Sequence, residues 1–180
     1  AKNNLTFSEE FETFKKYQSK IDKTVNFTEE FKFLDEIFRG VNLLGDYTAK
    51  IKDQVLSQGE ILSGKLITHL LNKQGIKANF VDSRTLIKTN EQFGEAQPFE
   101  SVSEDNVIAH FKKNNGDTTQ IITGFIGSNL QGETTTLGRN GSNYTAALIA
   151  NFLNAEEFQN YTHLNGIYTA NPDLVSNAKK

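Results

Sequence analysis

Apolar positions in the first 75 residues recur at helical spacing and rarely alternate. Phe7, Phe11, Phe14 and Ile21 share one helical face, and Thr6 with Glu9 fits a capping box ahead of them. Asn26 with Glu29 repeats the device before Phe27, Phe31, Leu34 and Phe38, with Gly40 as the stop. The echo of FSEEF in FTEEF has only two copies, too few for a solenoid, and predicts an α-hairpin packing its phenylalanine faces together. A third helix is predicted over roughly 46–58 and a fourth over roughly 60–74. The stripe of the fourth is Leu62, Leu66, His69 and Leu70, and Gly75 is its natural C′ residue.

From residue 76 the pattern changes. IKANFVD (76–82) reads as a strand, SEDNVIAHFKKN (103–114) as a helix and TQIITGFIG (119–127) as a buried strand. SNYTAALIANFL (142–153) returns as a helix and EFQNYT (157–162) as a strand. Strands with near-continuous apolar runs, alternating with helices, predict a mainly parallel sheet covered on both faces, an α/β fold of the αβα sandwich type. The stretch from Phe93 to Val107 is the most loop-like, yet nothing in it marks a linker. Residues 1–180 therefore read as one domain, with a helical subregion over 1–75 and an α/β part over 76–180.

Composition narrows the function classes. An apolar fraction of 37% with 14 Phe in 180 residues supports one packed core. A net charge of −3 gives no long-range attraction for nucleic acid or acidic membranes. No run approaches a membrane span, and the N-terminus lacks a signal-peptide apolar region. Zero cysteines exclude disulfides and Cys-ligated zinc and fit a cytoplasmic protein.

GEILSGK (59–65) has P-loop spacing, but Leu66 stands where Ser or Thr must hold magnesium, and the stretch continues a helical stripe. Glu60 follows Gly59 between two predicted helices, where its carboxylate could meet a ligand's ammonium group or simply favour a helix N-terminus. The richest signal is GETTTLGRNGSNYTAALIANFL (132–153). Ser142 sits where an N-cap belongs, so unpaired N–H groups and a dipole's positive end face the loop. Gly138 and Gly141 let backbone approach a ligand, and Arg139 adds a planar fork suited to a carboxylate or phosphate. Together they describe an anion site at the mouth of a parallel sheet. A capped helix after a glycine turn, with a solvated arginine, is the plainer alternative.

GFIGSN (124–129), TTTLGRNGSNYTAALIA (134–150) and YTHLNGIYTANP (161–172) resemble the conserved blocks of aspartate kinases in the amino-acid kinase family. SQGEILSGKL (57–66) resembles that family's glycine–glutamate segment, and VDSRTLIKTNEQFGEAQP (81–98) the stretch after it. The resemblance covers roughly residues 28–180. GVNLLGDYT (40–48) looks more like the kinase half of bifunctional aspartokinase–homoserine dehydrogenases than the single-activity enzymes.

The resemblance implies transfer of the ATP γ-phosphoryl to the side-chain carboxylate of L-aspartate, with magnesium arriving on the ATP phosphates and no separate metal site. Such chemistry rests on positioning two anions and offsetting their repulsion. By the same resemblance Glu60 holds the α-amino group of aspartate and Arg139 clamps a carboxylate, with Phe125, Gly141 and Ser142 lining the pocket. Arg139 and Asn143 take the catalytic positions. Thr162, His163, Tyr168 and Asp173 fall in the block along the nucleotide.

Three departures bear on this transfer. The family usually has Asp where Asn143 stands, Thr-Asp where Thr162-His163 stands, and Asp-Pro-Arg where Asn171-Pro172-Asp173 stands. A fourth is larger: the opening strand with its KFGGTS-type lysine loop has no counterpart, nor do the regulatory and dehydrogenase domains. The expectation is an internal stretch of a homo-oligomeric aspartokinase, inactive alone. The alternatives are a non-catalytic aspartate-binding or regulatory module, and a different amino-acid kinase. Against the last, Glu60 and the Arg139–Ser142 block together suit a substrate carrying both ammonium and carboxylate. His69 and His110 sit in helical patterns and read as helix-surface or boundary residues.

Overall fold

The computed structural model describes residues 7–114, 116–161, 166, 168–170 and 174–179. The predicted hairpin is α1 (Ser8–Gln18) and α2 (Thr28–Leu44). Its helices meet through phenylalanine rings: Phe11 lies edge-on to Phe38 at 5.3 Å between centroids, and Phe14 edge-on to Phe31 at 6.2 Å. Ile21 falls past the end of α1 and is exposed. The caps differ from the sequence reading. Thr6 lies outside the described residues, and Phe7 precedes α1 without a side-chain cap. Asn26 accepts the Thr28 N–H at 2.9 Å, forming an Asx turn one residue ahead of the N-cap position, which Phe27 occupies. α2 runs through Gly40 and stops at Gly45, whose φ of 67° suits glycine and whose N–H reaches the Val41 carbonyl at 2.9 Å.

One helix, α3 (Ala49–Lys73), replaces the two predicted. Thr48 caps it, accepting the Ile51 N–H at 3.2 Å. A glycine inside a helix costs only about 1 kcal/mol relative to alanine. Burial on both sides of Gly59, of Asp53, Ser57 and Gln58 before it and of Ile61, Leu62 and Leu66 after it, offsets that cost. Glu60 is therefore a mid-helix residue. It sits at no turn, and the helix-terminus explanation of its carboxylate fails. The P-loop lookalike is also helical, and Lys65 pairs with Glu30 of α2 instead of pointing into water. As predicted, Gly75 follows the end of α3, with φ of 82°.

The strands are β1 (Ala78–Val81), β2 (Lys88–Thr89), β3 (Thr119–Ile122), β4 (Ile126–Asn129) and β5 (Thr134–Thr136). β1 pairs with β3 in parallel, with Phe80 opposite Ile121, and β2 pairs with β4 in parallel. β5 lies antiparallel to β4. The single strand predicted over 119–127 is thus two strands, parted where Phe125 takes φ of 69°. Residues 157–161 form no strand, and Thr162 lies outside the described residues.

Side-chain alternation in β1 shows the layering. A Cβ at Gly64 of α3 would lie 2.8 Å from the Phe80 ring, so Phe80 faces α3. Val81, its neighbour, joins Leu86 and Ile87 in a core with Val107 of α4 (Glu100–Lys113) and Leu148 and Phe152 of α5 (Gly141–Phe152). One helix covers one face and two cover the other, the predicted αβα arrangement. The hairpin packs outside α3, burying Phe27 against Leu62 and Leu66. The stretch predicted to be loop-like is half helix, since α4 begins at Glu100. His69 lies on α3 with its ring 2.9 Å from the Thr24 hydroxyl, and His110 on α4 beside Gln120.

Candidate active site

Three pieces of chain converge where β3 ends. The first is Gly124–Phe125, between β3 and β4. The Phe125 N–H donates to the Thr145 hydroxyl at 3.2 Å, and that hydroxyl donates to the Gly141 carbonyl at 3.0 Å. Thr145 is 2% exposed, so this link from the strand junction to α5 is shielded from water. The second is the turn from Leu137 to Asn140. The Leu137 N–H donates to the Phe125 carbonyl at 2.9 Å and the Gly141 N–H to the Gly138 carbonyl at 3.1 Å. The third is the start of α5, packed so closely that a Cβ at Gly124 would lie 2.8 Å from Ser142 Cα, and one at Gly141 2.8 Å from the Phe125 ring. Only glycine allows either approach.

Asn140, in a left-handed conformation with φ of 62°, is the N-cap of α5 in place of the predicted Ser142, which sits inside the first turn. The anion-site argument survives the shift. The N–H groups of Ser142 and Asn143 have no hydrogen-bond partner among the described residues, and their side chains are exposed. Arg139 is exposed and makes no ion pair with a described residue. Phe125 packs on the turn and helix start that carry Arg139, Gly141, Ser142 and Asn143. Beside it a cleft of about 440 Å³ runs along β3 and α5, lined by Thr123, Gly124, Ser142, Thr145, Ala146 and Ile149.

Glu60 reaches this region from α3. Asp53, Glu60 and Gly64 share one helical stripe, being seven and four residues apart. Asp53 bonds to Thr136 of β5, and Gly64 packs against Thr123 beside the strand junction. Glu60 lies between them on the sheet-facing side. It is half-buried, pairs with no described residue, and burial pushes its carboxyl above the ordinary range.

Two residues of this region escaped the sequence reading. Thr145 looked like any threonine in an amphipathic helix. Asp53, with no exposure at all, lay in a helix predicted to end just beyond it. The nucleotide-side expectations fare differently: Thr162, His163 and Asp173 lie outside the described residues, and Tyr168 is described but joins none of the contacts above. Among the described residues no group of three His or acidic side chains is arranged to hold a metal, and no helix is long and apolar enough to cross a membrane.

The chain is similar to known proteins along most of its length. The chain is 34% identical over 152 residues to the lysine-sensitive aspartokinase 3 of Escherichia coli K12, a match covering 82% of this chain and 34% of that protein. It is 32% identical over 146 residues to the chloroplastic bifunctional aspartokinase/homoserine dehydrogenase of Daucus carota, covering 81% of this chain and 16% of that one. Single-activity and bifunctional enzymes both match. The crystal structure of E. coli aspartokinase III in complex with aspartate and ADP superposes with a TM-score of 0.79 at 30% identity, over 96% of this chain and 40% of that one. The chain thus spans about a third of the length of the aspartokinase it matches. A model of the amino acid kinase family matches residues 6–180, and the chain belongs to that family.

Proposed function

We propose that this chain carries the amino-acid-binding face of an aspartate kinase, which transfers the ATP γ-phosphoryl to the side-chain carboxylate of L-aspartate in the first step of aspartate-family amino-acid biosynthesis. One observation carries the reading: a half-buried, unpaired carboxylate, Glu60, shares a helical stripe with Asp53, which bonds the strand leading into a loop whose free donors are the Arg139 guanidinium and the first N–H groups of α5. An unpaired carboxylate kept from water calls for a cation, and a helix start beside a guanidinium calls for an anion. An α-amino acid supplies both on one carbon. Glu60 takes the ammonium, Arg139 and the Ser142 N–H take carboxylate oxygens, and the Phe125 ring closes the pocket against water. Holding both ends leaves the reacting carboxylate with little rotational freedom. The relative whose structure was determined with aspartate and ADP supports both the substrate and a nucleotide partner. By family resemblance Asn143 is assigned with Arg139 to the catalytic positions and Thr162, His163, Tyr168 and Asp173 to the nucleotide side, and magnesium enters on the phosphates.

Calorimetric titration of L-aspartate into the protein tests the reading. Arg139→Lys keeps the charge but loses the two-pronged geometry, and should weaken binding about tenfold, the loss of one charge-assisted hydrogen bond of roughly 1.5 kcal/mol. Glu60→Gln should weaken L-aspartate while leaving succinate, which lacks the ammonium, unchanged. Wild-type affinity in both variants would reject the site.

A further inference from the structure

Asp53 is a charged side chain with no access to water, two helical turns before Glu60. Its Oδ2 accepts the Thr136 N–H at 2.9 Å and the Gly94 N–H at 2.8 Å, and its Oδ1 accepts the Thr136 hydroxyl at 2.9 Å. No lysine or arginine among the described residues pairs with it. A carboxylate buried without a cation is costly, and three donors aimed at it are what make it tolerable. A helix needing only to pack on a sheet would be served by leucine there. The arrangement calls for another explanation.

The partners of Asp53 supply it. Thr136 is the last residue of β5, and two residues on the chain turns at Gly138 into Arg139. Gly94 belongs to the loop 90–97, which lies against that turn: a Cβ at Gly138 would be 3.3 Å from the Gly94 carbonyl and 3.4 Å from the Glu95 side chain. The loop is tied to the same strand end by the Ala96 N–H, which donates to the Thr136 carbonyl at 2.9 Å. It is stiffened internally by Asn90 Oδ1, which accepts the Gln97 N–H at 3.0 Å and the Gln92 N–H at 3.2 Å. One carboxylate on α3 therefore fixes both the strand that leads into Arg139 and the loop that braces the turn.

We infer that Asp53 is a positioning residue, setting the register between Glu60 on α3 and the Arg139 turn so that the two ends of one amino acid are met together. The inference rests on the proposed amino-acid site. Its logic is geometric. The ammonium and α-carboxylate of an amino acid are separated by a fixed distance, so their two recognition groups must be held to within about half an ångström. Glu60 and Arg139 come from α3 and the turn after β5; Lys50 of α3 pairs with Glu133 at the entry of β5, whereas Asp53 bonds the end of β5 that leads into Arg139. Asp53 joins them by directional bonds on the stripe of α3 that carries Glu60. A ligand engaging only one end has no use for that register.

Binding of L-aspartate and of succinate should be measured for wild type, Asp53→Asn, Glu60→Gln and the double variant. Asp53→Asn keeps the shape and one oxygen for the two N–H groups, so the fold is retained. We expect it to weaken L-aspartate about tenfold, the scale of a small misplacement of a binding group, and succinate by less than about twofold. In the Glu60→Gln background Asp53→Asn should cost nothing further. Thr136→Val, which removes one of the three bonds, should give a smaller loss with the same ligand selectivity and serves if Asp53→Asn does not fold. Equal weakening of both ligands would reduce Asp53 to a structural residue and overturn the inference, as would unchanged affinities. If wild type does not bind L-aspartate, or Glu60→Gln leaves its affinity unchanged, the amino-acid site itself fails and the inference falls with it.

Discussion

The helical hairpin and the sheet around β4 pack on opposite sides of α3, and by different means. Around α1 and α2 the contacts are phenylalanine on phenylalanine. Phe11 alone has four ring partners, Phe7, Phe14, Phe31 and Phe38. A solvent-open apolar groove of about 390 Å³ lies among Phe7, Phe11, Phe14, Phe38 and Val55. Around β4 the fully buried side chains include Asp53, Ser83, Thr89, Ser103, Asn129 and Thr135. Each makes a directional bond. The Ser83 hydroxyl donates to the Ile126 carbonyl at 2.7 Å, and the Thr89 and Thr135 hydroxyls meet at 2.8 Å. Among the described residues no buried side-chain polar atom lacks a partner. Apolar contacts hold elements close, whereas hydrogen bonds in a dry environment hold them in register. The candidate site adjoins the second region, where position matters, and the hairpin lies outside α3, where closeness suffices.

The largest stability effect should come from Phe11→Ala. Truncating a buried phenylalanine costs about 3–5 kcal/mol, and Phe11, at 5% exposure but bordering a groove into which its neighbours can settle, should cost near 3 kcal/mol. If the hairpin only supports α3 from behind, L-aspartate affinity should stay within about twofold at a temperature where the protein remains folded. Denaturant unfolding and calorimetry on the same sample decide it. A tenfold loss of affinity with a modest loss of stability would erase the distinction between the regions.

Gly124→Ala should do the reverse. The added Cβ would lie 2.8 Å from the backbone of Ser142, so α5 must move. Overpacking of this kind costs typically 1–3 kcal/mol, no more than Phe11→Ala. The displaced element carries the free N–H groups of the site, however, and L-aspartate affinity should fall at least about tenfold. Retained affinity would show that the start of α5 is not part of the pocket.

The same contrast explains what could be read from the sequence. The hairpin, α4, α5, β1 and the two-sided layering announce themselves through apolar spacing, because oil-like burial writes a periodic pattern. β5 is three buried threonines and leaves no apolar trace, so its antiparallel pairing was missed. Asp53 was missed for the same reason: a buried carboxylate looks like a surface one until its partners are known. α3 was cut in two because Gly59 reads as punctuation when flanking burial is invisible. The break at Phe125 depends on a positive φ in a non-glycine residue, which no local rule demands. Phe125, Arg139, Gly141, Ser142 and Asn143 were legible as a set because they lie in one contiguous turn or pack on it. The ligand role of Glu60 comes from family resemblance, and the helix N-terminus that local sequence also offers it is not there, because Glu60 lies in the middle of α3.

Glu60 sharpens the comparison through protons. Burial raises its carboxyl, so the folded protein holds the proton more tightly than the unfolded chain does. The sign follows: this contribution to stability is present below the unfolded-state pKa of glutamate and is lost as pH rises through the raised folded value. A bound ammonium group favours the ionised carboxylate and reverses the shift. L-aspartate binding in mildly acidic buffer should therefore release a fraction of a proton, and affinity should strengthen as pH rises through the Glu60 range. Calorimetry in buffers of different ionisation heat reads the release directly. Glu60→Gln should abolish it, whereas persistence in that variant would assign the proton to another group.

The smallest effect should come from Gly59, the residue beside Glu60 that faces the other region. It lines the open apolar groove, and a Cβ placed on it meets nothing within 4 Å. Its position inside α3 gives glycine no conformational role there, because its φ is not among the positive values. Gly59→Ala should then stabilise the protein by about 0.5–1 kcal/mol, through helix propensity and a less flexible unfolded chain. L-aspartate affinity should not change, since the new methyl points toward the hairpin and Glu60 toward the sheet. Thermal unfolding and one titration test both halves of the statement. A destabilised variant would mean that the groove closes over Gly59 in solution. A stabilised variant with altered affinity would mean that packing on the hairpin side of α3 is transmitted through the helix to Glu60, and the two regions would then act as one.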